Sequence, residues 1–338
     1  MEEINVVQCG IGEIGAAVTR LLLRKRGFRI VGAWDIDPAK VGKDLGEVVG
    51  WGEPLGVVVS PTPKGAFPQE ADIVIHTTVS SLEGALPQYR ALIPFGANII
   101  SSCEELVFPW RRHRALAEEI HGLALEHGVT VLGAGVNPGF VMDLLPSLLS
   151  VVCREVEGIS VRRVIDAGKR RPAFQRKIGV GMDPGEFQER VGKGGGHVGL
   201  PESLDLIAAS LGWEITEFTT DVEALIADRP LRAGDIEVPV GRVRGLRQWA
   251  WGRTPEGRTI SLEFQACLCP DEEVDEIVLR GDPKLVVRFP GGIHGDIATA
   301  AILVNTIPAV LTAPPGLLTV ADLMPLVYLE PQGKGTQR

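Results

Sequence analysis

The feature that most narrows what this chain can fold into lies at residues 10–15, Gly10-Ile11-Gly12-Glu13-Ile14-Gly15. It follows an apolar run with strand composition at 4–8 and leads into 16–26, which read as a helix, before a second strand at 28–35. Strand, glycine turn, helix and strand make one βαβ unit. In such a unit the first glycine permits a sharp turn, the second lets backbone N–H groups approach a pyrophosphate, and the third lets helix and strand pack closely. The positive end of the helix dipole then faces the phosphates. Contacts to a dinucleotide are therefore expected from Gly10, Ile11, Gly12, Glu13, Ile14 and Gly15.

The pattern continues. Residues 71–76, 97–101 and 129–133 are short, β-branched apolar runs suited to buried parallel strands. Between them, 82–95 reads as a helix that Pro87 should kink or restart, and 114–127 as a helix with Leu116, Ile120, Leu123 and Ala124 on one face. Strands alternating with helices predict the α/β class, a Rossmann-type doubly wound parallel sheet over residues 1–140. The texture changes after Asn137-Pro138-Gly139. Strands at 159–161, 238–244, 259–267 and 284–289, a glycine-rich loop at 192–197 and a helix at 201–212 predict a second, α+β domain over 141–290 for substrate and dimer contacts. A helical segment at 291–330 is expected to return to the first domain. Its apolar run 297–311 is too short to cross a bilayer and should be a buried helix. The tail after Pro331 is polar and expected to fray.

Bulk properties exclude several classes. The 338 residues suffice for two domains, and 45% apolar with 23% charged is a globular, soluble composition. A net charge of −9, with 34 basic against 43 acidic residues, gives no footprint for nucleic acid. The basic run Arg111-Arg112-His113-Arg114 reads as a solvated helix start, with binding of an anionic partner as the alternative. Five cysteines without CxxC spacing fit a reducing cytoplasm, and no Cys/His cluster has zinc spacing, so no metal is expected. The acidic N-terminus lacks the basic start of an export signal.

Candidate site residues follow from strand ends, because open α/β sheets bind ligands at their carboxyl edge. Asp35 ends the second strand, twenty positions after Gly15, where a carboxylate can accept bonds from the adenosine ribose. It favours NAD over NADP. Asp37, Lys40 and Lys43 lie just beyond, and the lysines could neutralise a 2′-phosphate; Asp35 could instead cap the segment at Pro38. Thr77 and Thr78 should line the cofactor, whereas His76 is either catalytic or packed at its strand end. Ser101-Ser102-Cys103-Glu104-Glu105 follows the next strand. A buried carboxylate beside another is raised in pKa and becomes usable for proton transfer near neutrality, which makes Glu104 the catalytic candidate. The alternative has both glutamates complementing a helix dipole, although Pro109 argues against a long helix there.

Taken together, the glycine turn, residues 35–47 (DIDPAKVGKDLGE), 101–105, 135–143 (GVNPGFVMD) and 294–308 (HGDIATAAILVNTIP) resemble the 2,4-diaminopentanoate dehydrogenases and related native amine dehydrogenases. That resemblance spans nearly the whole chain. It implies NAD(P)-dependent interconversion of an amine or diamino acid with a ketone and ammonia, by a homodimer, with Glu104 as the catalytic carboxylate. It also implies contacts from Asn137 and Asn305 near the nicotinamide, from Asn137, Pro138 and Phe140 at a substrate loop, and from Arg162 in the second domain. Arg162 would grip a substrate carboxylate; Asp166, Arg170, Arg171, Gln175 and Lys177 share its segment. His197, after the glycine-rich loop, and His294 could also reach the pocket, with a structural histidine as the alternative for each. Phe140, Trp249 and Trp251 could restrict that pocket, with buried packing as the alternative. Dihydrodipicolinate reductase, a relative of the first domain, is the competing assignment, but its paired-histidine and serine-glycine-threonine signatures are missing. A non-catalytic NAD(P)-binding sensor is the third reading.

Overall fold

The computed structural model describes residues 3–68, 70–192, 196–234 and 236–323. Lys193 to Gly195 of the glycine-rich loop, and the polar tail, lie outside the described residues. The chain divides into two compact units, residues 1–136 with 295–338, and residues 137–294.

The first unit is a parallel sheet whose strands are β1 (Ile4–Cys9), β2 (Phe28–Trp34), β3 (Val59–Ser60), β4 (Ile73–His76), β5 (Asn98–Ser101) and β6 (Thr130–Gly133), with Gly316–Leu318 beyond β6. The order is β3-β2-β1-β4-β5-β6 and then Gly316–Leu318. The chain leaves β1 toward one edge and returns to β4 on its other side. That reversal is the topological switch point, where a crevice opens beyond the carboxyl ends of β1 and β4. Every residue of β4 and β6 is buried, as expected of strands covered on both faces.

Helix α1 (Glu13–Leu22) starts directly at the switch point, and Val18 and Leu22 anchor it in the core. Helix α2 (Leu82–Leu92) runs unbroken through Pro87, where a kink or restart was expected. Leu82, Ala85, Leu86, Tyr89 and Leu92 bury one stripe of it against the sheet, and that packing outweighs one lost backbone bond. Helix α3 (Arg114–Glu126) follows the anticipated face, with Ala117, Ile120 and Ala124 buried. The late apolar segment is two helices, Gly295–Asn305 and Ile307–Leu311, and it is only partly buried: Ile297 is 69% exposed. The first of these packs on α1.

The second unit carries α4 (Leu144–Leu149), β7 (Glu155–Asp166), α5 (Leu200–Ser210), β8 (Glu217–Ile226), β9 (Leu231–Ala233), β10 (Ile236–Val238), β11 (Val243–Arg253), β12 (Thr259–Cys267), β13 (Val274–Asp282) and β14 (Leu285–Pro290). Six of these strands form one mixed sheet in the order β14-β13-β7-β12-β11-β8. Residues 238–244, read from sequence as one strand, are instead the end of one strand, a turn and the start of another. Pro239 cannot donate to a ladder, and Gly241 turns the chain at φ +85°. Helix α5 packs on β11 and β12 and covers one face of this sheet.

Candidate active site

The glycine turn divides its labour as its spacing demands. Gly10 is left-handed at φ +79°, and a Cβ there would meet Thr77 O at 2.7 Å. At Gly15 a Cβ would lie 2.0 Å from Gly10 O, so only glycine lets α1 sit this close to the turn. Gly12, the N-cap of α1, is different: nothing stands within 4 Å of its added Cβ, and no side chain caps the helix. The first-turn N–H groups thus face an open approach at the positive end of a ten-residue helix. These residues fit a pyrophosphate, with the backbone of Gly12, Glu13 and Ile14 as its cradle. Sequence reasoning missed Gln8, whose Nε2 donates to Gly10 O at 2.9 Å and Thr77 Oγ1 at 3.0 Å. Thr77 Oγ1 in turn donates to Gly10 O at 2.7 Å, so it braces the turn.

Asp35 sits just past β2, and its carboxylate is engaged within the protein. Oδ2 accepts the Ile11 N–H at 2.7 Å and Lys40 Nζ at 3.1 Å, while Oδ1 accepts the Asp37 N–H at 2.9 Å. Ile11 therefore gives its N–H to Asp35. Lys40 also reaches Asp37 at 3.2 Å, whereas Lys43 turns to Glu47 at 3.5 Å. The Ala39 N–H and Lys40 together hold the Asp37 carboxyl below its ordinary range.

The glutamate pair separates into two roles. Both start a single 3-10 turn, Glu104–Leu106, immediately beyond β5. Glu105 is structural: its Oε2 accepts the Leu82 N–H at 2.7 Å, completing the N-terminus of α2, and lies 3.6 Å from His113 Nε2. Glu104 receives Ser80 Oγ on Oε1 at 3.1 Å. Ser80 belongs to the β4–α2 loop and its carbonyl also accepts the Glu105 N–H at 3.2 Å, so this loop and the glutamate turn are bound to each other. His76 is wholly buried between Ser101 (2.8 Å), Gln88 (2.9 Å) and Thr78 (2.9 Å). Burial lowers its pKa to about 4, against the raising effect of Gln88, so at neutral pH it is an uncharged packed group and not an exposed acid or base. Thr78 is tied to it. Asn305 ends the helix that packs on α1 in this same unit.

In the second unit the 137–140 loop is fixed by Asp143. This fully buried carboxylate accepts the Gly139 N–H at 2.8 Å, the Leu144 N–H at 2.6 Å and Ser203 Oγ at 2.7 Å. Burial raises its pKa; the hydrogen bonds and the nearby His197 oppose that rise. Asn137 Oδ1 is buried with no hydrogen-bond partner among the described residues. His197 is buried against Phe264, ring centroids 4.8 Å apart, and its backbone N–H donates to Gln248 Oε1 at 3.2 Å. Arg162 does not join this group. In the β7–β12 register Arg162 aligns with Glu263, and Arg163 with Phe264, so Arg162 and His197 lie on opposite faces of the sheet. Its guanidinium meets Glu272 at 2.6 Å and Glu263 at 3.7 Å, which leaves the fork expected to grip a substrate carboxylate already filled by the protein. Gln175 is likewise committed, to Ala167 O and Arg170 O. Trp249 and Trp251 share the Arg162 face, because Trp249 aligns with Glu263 and Trp251 with Ser261.

Residues 140–330 match the family described as the 2,4-diaminopentanoate dehydrogenase C-terminal domain. A 2,4-diaminopentanoate dehydrogenase from Acetoanaerobium sticklandii is 32% identical over 336 residues, covering 96% of this chain and 94% of the relative. The chain belongs to the 2,4-diaminopentanoate dehydrogenase family. It is an oxidoreductase of the amine dehydrogenase type, and an amine dehydrogenase from Streptomyces virginiae is 25% identical over 95% of the chain. The solved amine dehydrogenase from Mycobacterium smegmatis superimposes with a TM-score of 0.89 at 29% identity, covering 97% of this chain and 98% of that one. Its likeness covers residues of both units.

Proposed function

We propose that this member of the family catalyses the NAD(P)-dependent oxidative deamination of a diamino acid resembling 2,4-diaminopentanoate, or of a simpler amine, and the reverse reductive amination of a ketone with ammonia. The observation that carries this reading is the carboxylate of Glu104, presented one strand beyond the switch point and oriented by Ser80. When bound, the nicotinamide supplies or accepts the hydride. The glycine turn would hold the pyrophosphate and Asp35 would accept from the ribose hydroxyls, while Thr77 supports the turn. Glu104 takes the proton from the substrate ammonium during deamination. In the reverse direction it deprotonates ammonium, passes a proton to the departing water and balances the charge of the iminium. Asn137, Pro138, Phe140 and His197 are proposed for the substrate side, and Asn137 and Asn305 for the nicotinamide.

NAD is the favoured cofactor in this reading. The Asp35 carboxylate would repel a 2′-phosphate, and Lys40, the nearest cation to it, is shared between Asp35 and Asp37. We further propose a cytoplasmic homodimer; all five cysteines are free thiols, as a reducing compartment requires. Titration of thiols in freshly lysed cells checks that setting, and disulfide-bonded protein argues against it.

The deciding experiment is ammonia-dependent oxidation of NADH and NADPH across 2-amino-4-oxopentanoate, keto acids and simple ketones, with Glu104→Gln beside the wild type. Loss of a general acid–base group predicts a fall of roughly 10²–10⁴-fold in kcat. The ratio of kcat/KM for NADH and NADPH reads the cofactor preference. Cofactor binding without turnover on any carbonyl with ammonia would overturn the reading.

A further inference from the structure

A buried polar network bridges the ends of β4 and β5, and its hydrogen bonds can be oriented one by one. Ser101 Oγ accepts from Tyr89 Oη at 2.8 Å and from the Cys103 N–H at 3.1 Å. Its single proton is left for His76 Nδ1, 2.8 Å away, so Nδ1 is the bare nitrogen and Nε2 carries the hydrogen. That hydrogen points to Gln88 Oε1 at 2.9 Å, an oxygen that also accepts the Thr78 hydroxyl at 2.9 Å. One tautomer of a neutral imidazole satisfies every partner.

The position of this network gives it consequences beyond packing. His76 precedes Thr77, which braces the glycine turn, and its carbonyl accepts the Ser102 N–H at 2.9 Å. Ser101 holds the backbone of Cys103, the residue before Glu104, and Cys103 Sγ donates to Ser80 O at 3.2 Å. Ser80 Oγ donates to the Glu104 carboxylate and helps to orient it. An unbroken set of bonds therefore runs from the glycine turn through His76 and Ser101 to Glu104. An apolar replacement of His76 would fill the space and leave the Ser101 hydroxyl without its acceptor, freeing it to turn and loosen Cys103.

We propose that His76, acting through Ser101, is a positioning residue that fixes Glu104 relative to the glycine turn; this rests on the reading of Glu104 as the proton-transfer group. His76 itself exchanges no proton with substrate. The test compares wild type, Ser101→Ala, His76→Leu and His76→Asn in reductive amination of 2-amino-4-oxopentanoate with ammonium and NADH, with NADH affinity measured separately by fluorescence. A displacement of the order of 1 Å costs up to about 10²-fold in rate, so Ser101→Ala and His76→Leu should lose roughly 10- to 100-fold in kcat. NADH affinity should move less than about threefold, since one tenfold step already requires a full lost contact. His76→Asn should recover part of the loss, because its amide oxygen can replace Nδ1 as acceptor. Imidazole ¹⁵N spectra of the wild type should show the Nε2–H tautomer.

Full kcat in Ser101→Ala, a protonated Nδ1 at neutral pH, or a kcat loss matched by an equal loss of NADH affinity would overturn the positioning role. A wild type that binds NADH and turns over nothing overturns the reading of Glu104 and this role with it. Ser101→Ala removes one oxygen only, which keeps the test open where His76→Leu fails to fold.

Discussion

Three glycines within six residues respond differently to substitution, and the difference separates binding from folding. At Gly12, φ −73° and ψ −168° suit any residue and the space is open, so Gly12→Ala should keep its thermal stability while placing a methyl group where a pyrophosphate would approach. NADH affinity should fall about tenfold or more, equivalent to about 1.4 kcal/mol. Gly15→Ala instead forces a Cβ to 2.0 Å from Gly10 O, a backbone atom that moves only with the turn. It should lose roughly 1–3 kcal/mol of stability as well as affinity, which paired unfolding curves and fluorescence titrations will distinguish. His76 gives a second check at this scale. Its ring contacts Ser101, Gln88 and Thr78, all neutral, with the Tyr89 ring 5.0 Å away, and burial depresses its pKa to about 4. The unfolded chain protonates this histidine near 6.5 while the folded chain does not, so stability is full above that pH and declines as pH falls toward 4, by up to about 1.4 kcal/mol per unit. Urea unfolding at pH 7 and pH 5 should show that slope in the wild type and a shallower one in His76→Asn. The glycine turn was legible because its chemistry is local. The network of His76 was not, since two of its partners lie 12 and 25 residues away, and a histidine ending a strand gives no sign of which tautomer its neighbours select.

At the scale of elements, β1, β2, β4, β5 and β6 were legible from short apolar runs, and β12, β14 and part of β7 were read in the second unit, whereas β3, β8 and β13 were not. β8 reads EFTTDVEALI and β13 reads VDEIVLRGD; β8 carries Glu217, Asp221 and Glu223 on the face away from α5, and β13 places Glu276 on that face and Asp275 on the buried one, so neither shows a clean apolar alternation. Their pairing comes from contacts distant in sequence, such as the buried ion pair between Arg163 and Asp275 at 2.5 Å, 112 residues apart, with Arg163 also donating to Ile293 O. Helix α2 shows how one element depends on another. Ser81 receives the Gly84 N–H weakly at 3.3 Å, and Glu105, from the turn after β5, takes the Leu82 N–H at 2.7 Å. The helix is thus capped largely from outside its own segment, which is why the glutamate pair could be read from sequence either as a catalytic pair or as helix-dipole partners. Glu105→Ala should cost about 0.5–2 kcal/mol by leaving that donor without its carboxylate, and hydrogen exchange should show the first turn of α2 opening more readily than the rest of the helix. Exchange uniform along α2 would mean that the Ser81 hydroxyl suffices.

At the scale of the whole molecule, the six-stranded sheet of the second unit has one face under α5 and another whose residues follow from its registers. One row across that outer face is uncharged: Val286, Val278, Ser160, Ser261, Trp251 and Thr219. The next row alternates in sign, Arg288, Glu276, Arg162 and Glu263, before Trp249 and Asp221. Within and beside it Arg288 meets Glu276 at 3.0 Å and Arg247 meets Glu263 at 3.0 Å. Val286 is 55% exposed, and the two tryptophans are only partly covered. A twofold axis through the uncharged row would lay Trp251 of one copy near the valines of the other and leave the charged rows at the rim, the distribution of a stable isologous interface. Sedimentation at micromolar concentration should therefore give twice the mass of the chain, and Trp251→Glu, which places a charge in the centre of the row, should shift it to the single chain with its secondary structure retained. A wild type that sediments as one chain would remove the homodimer. It would also leave the alternating arginines and glutamates as a solvated surface, because exposed ion pairs of this kind contribute at most about 1 kcal/mol each to the fold.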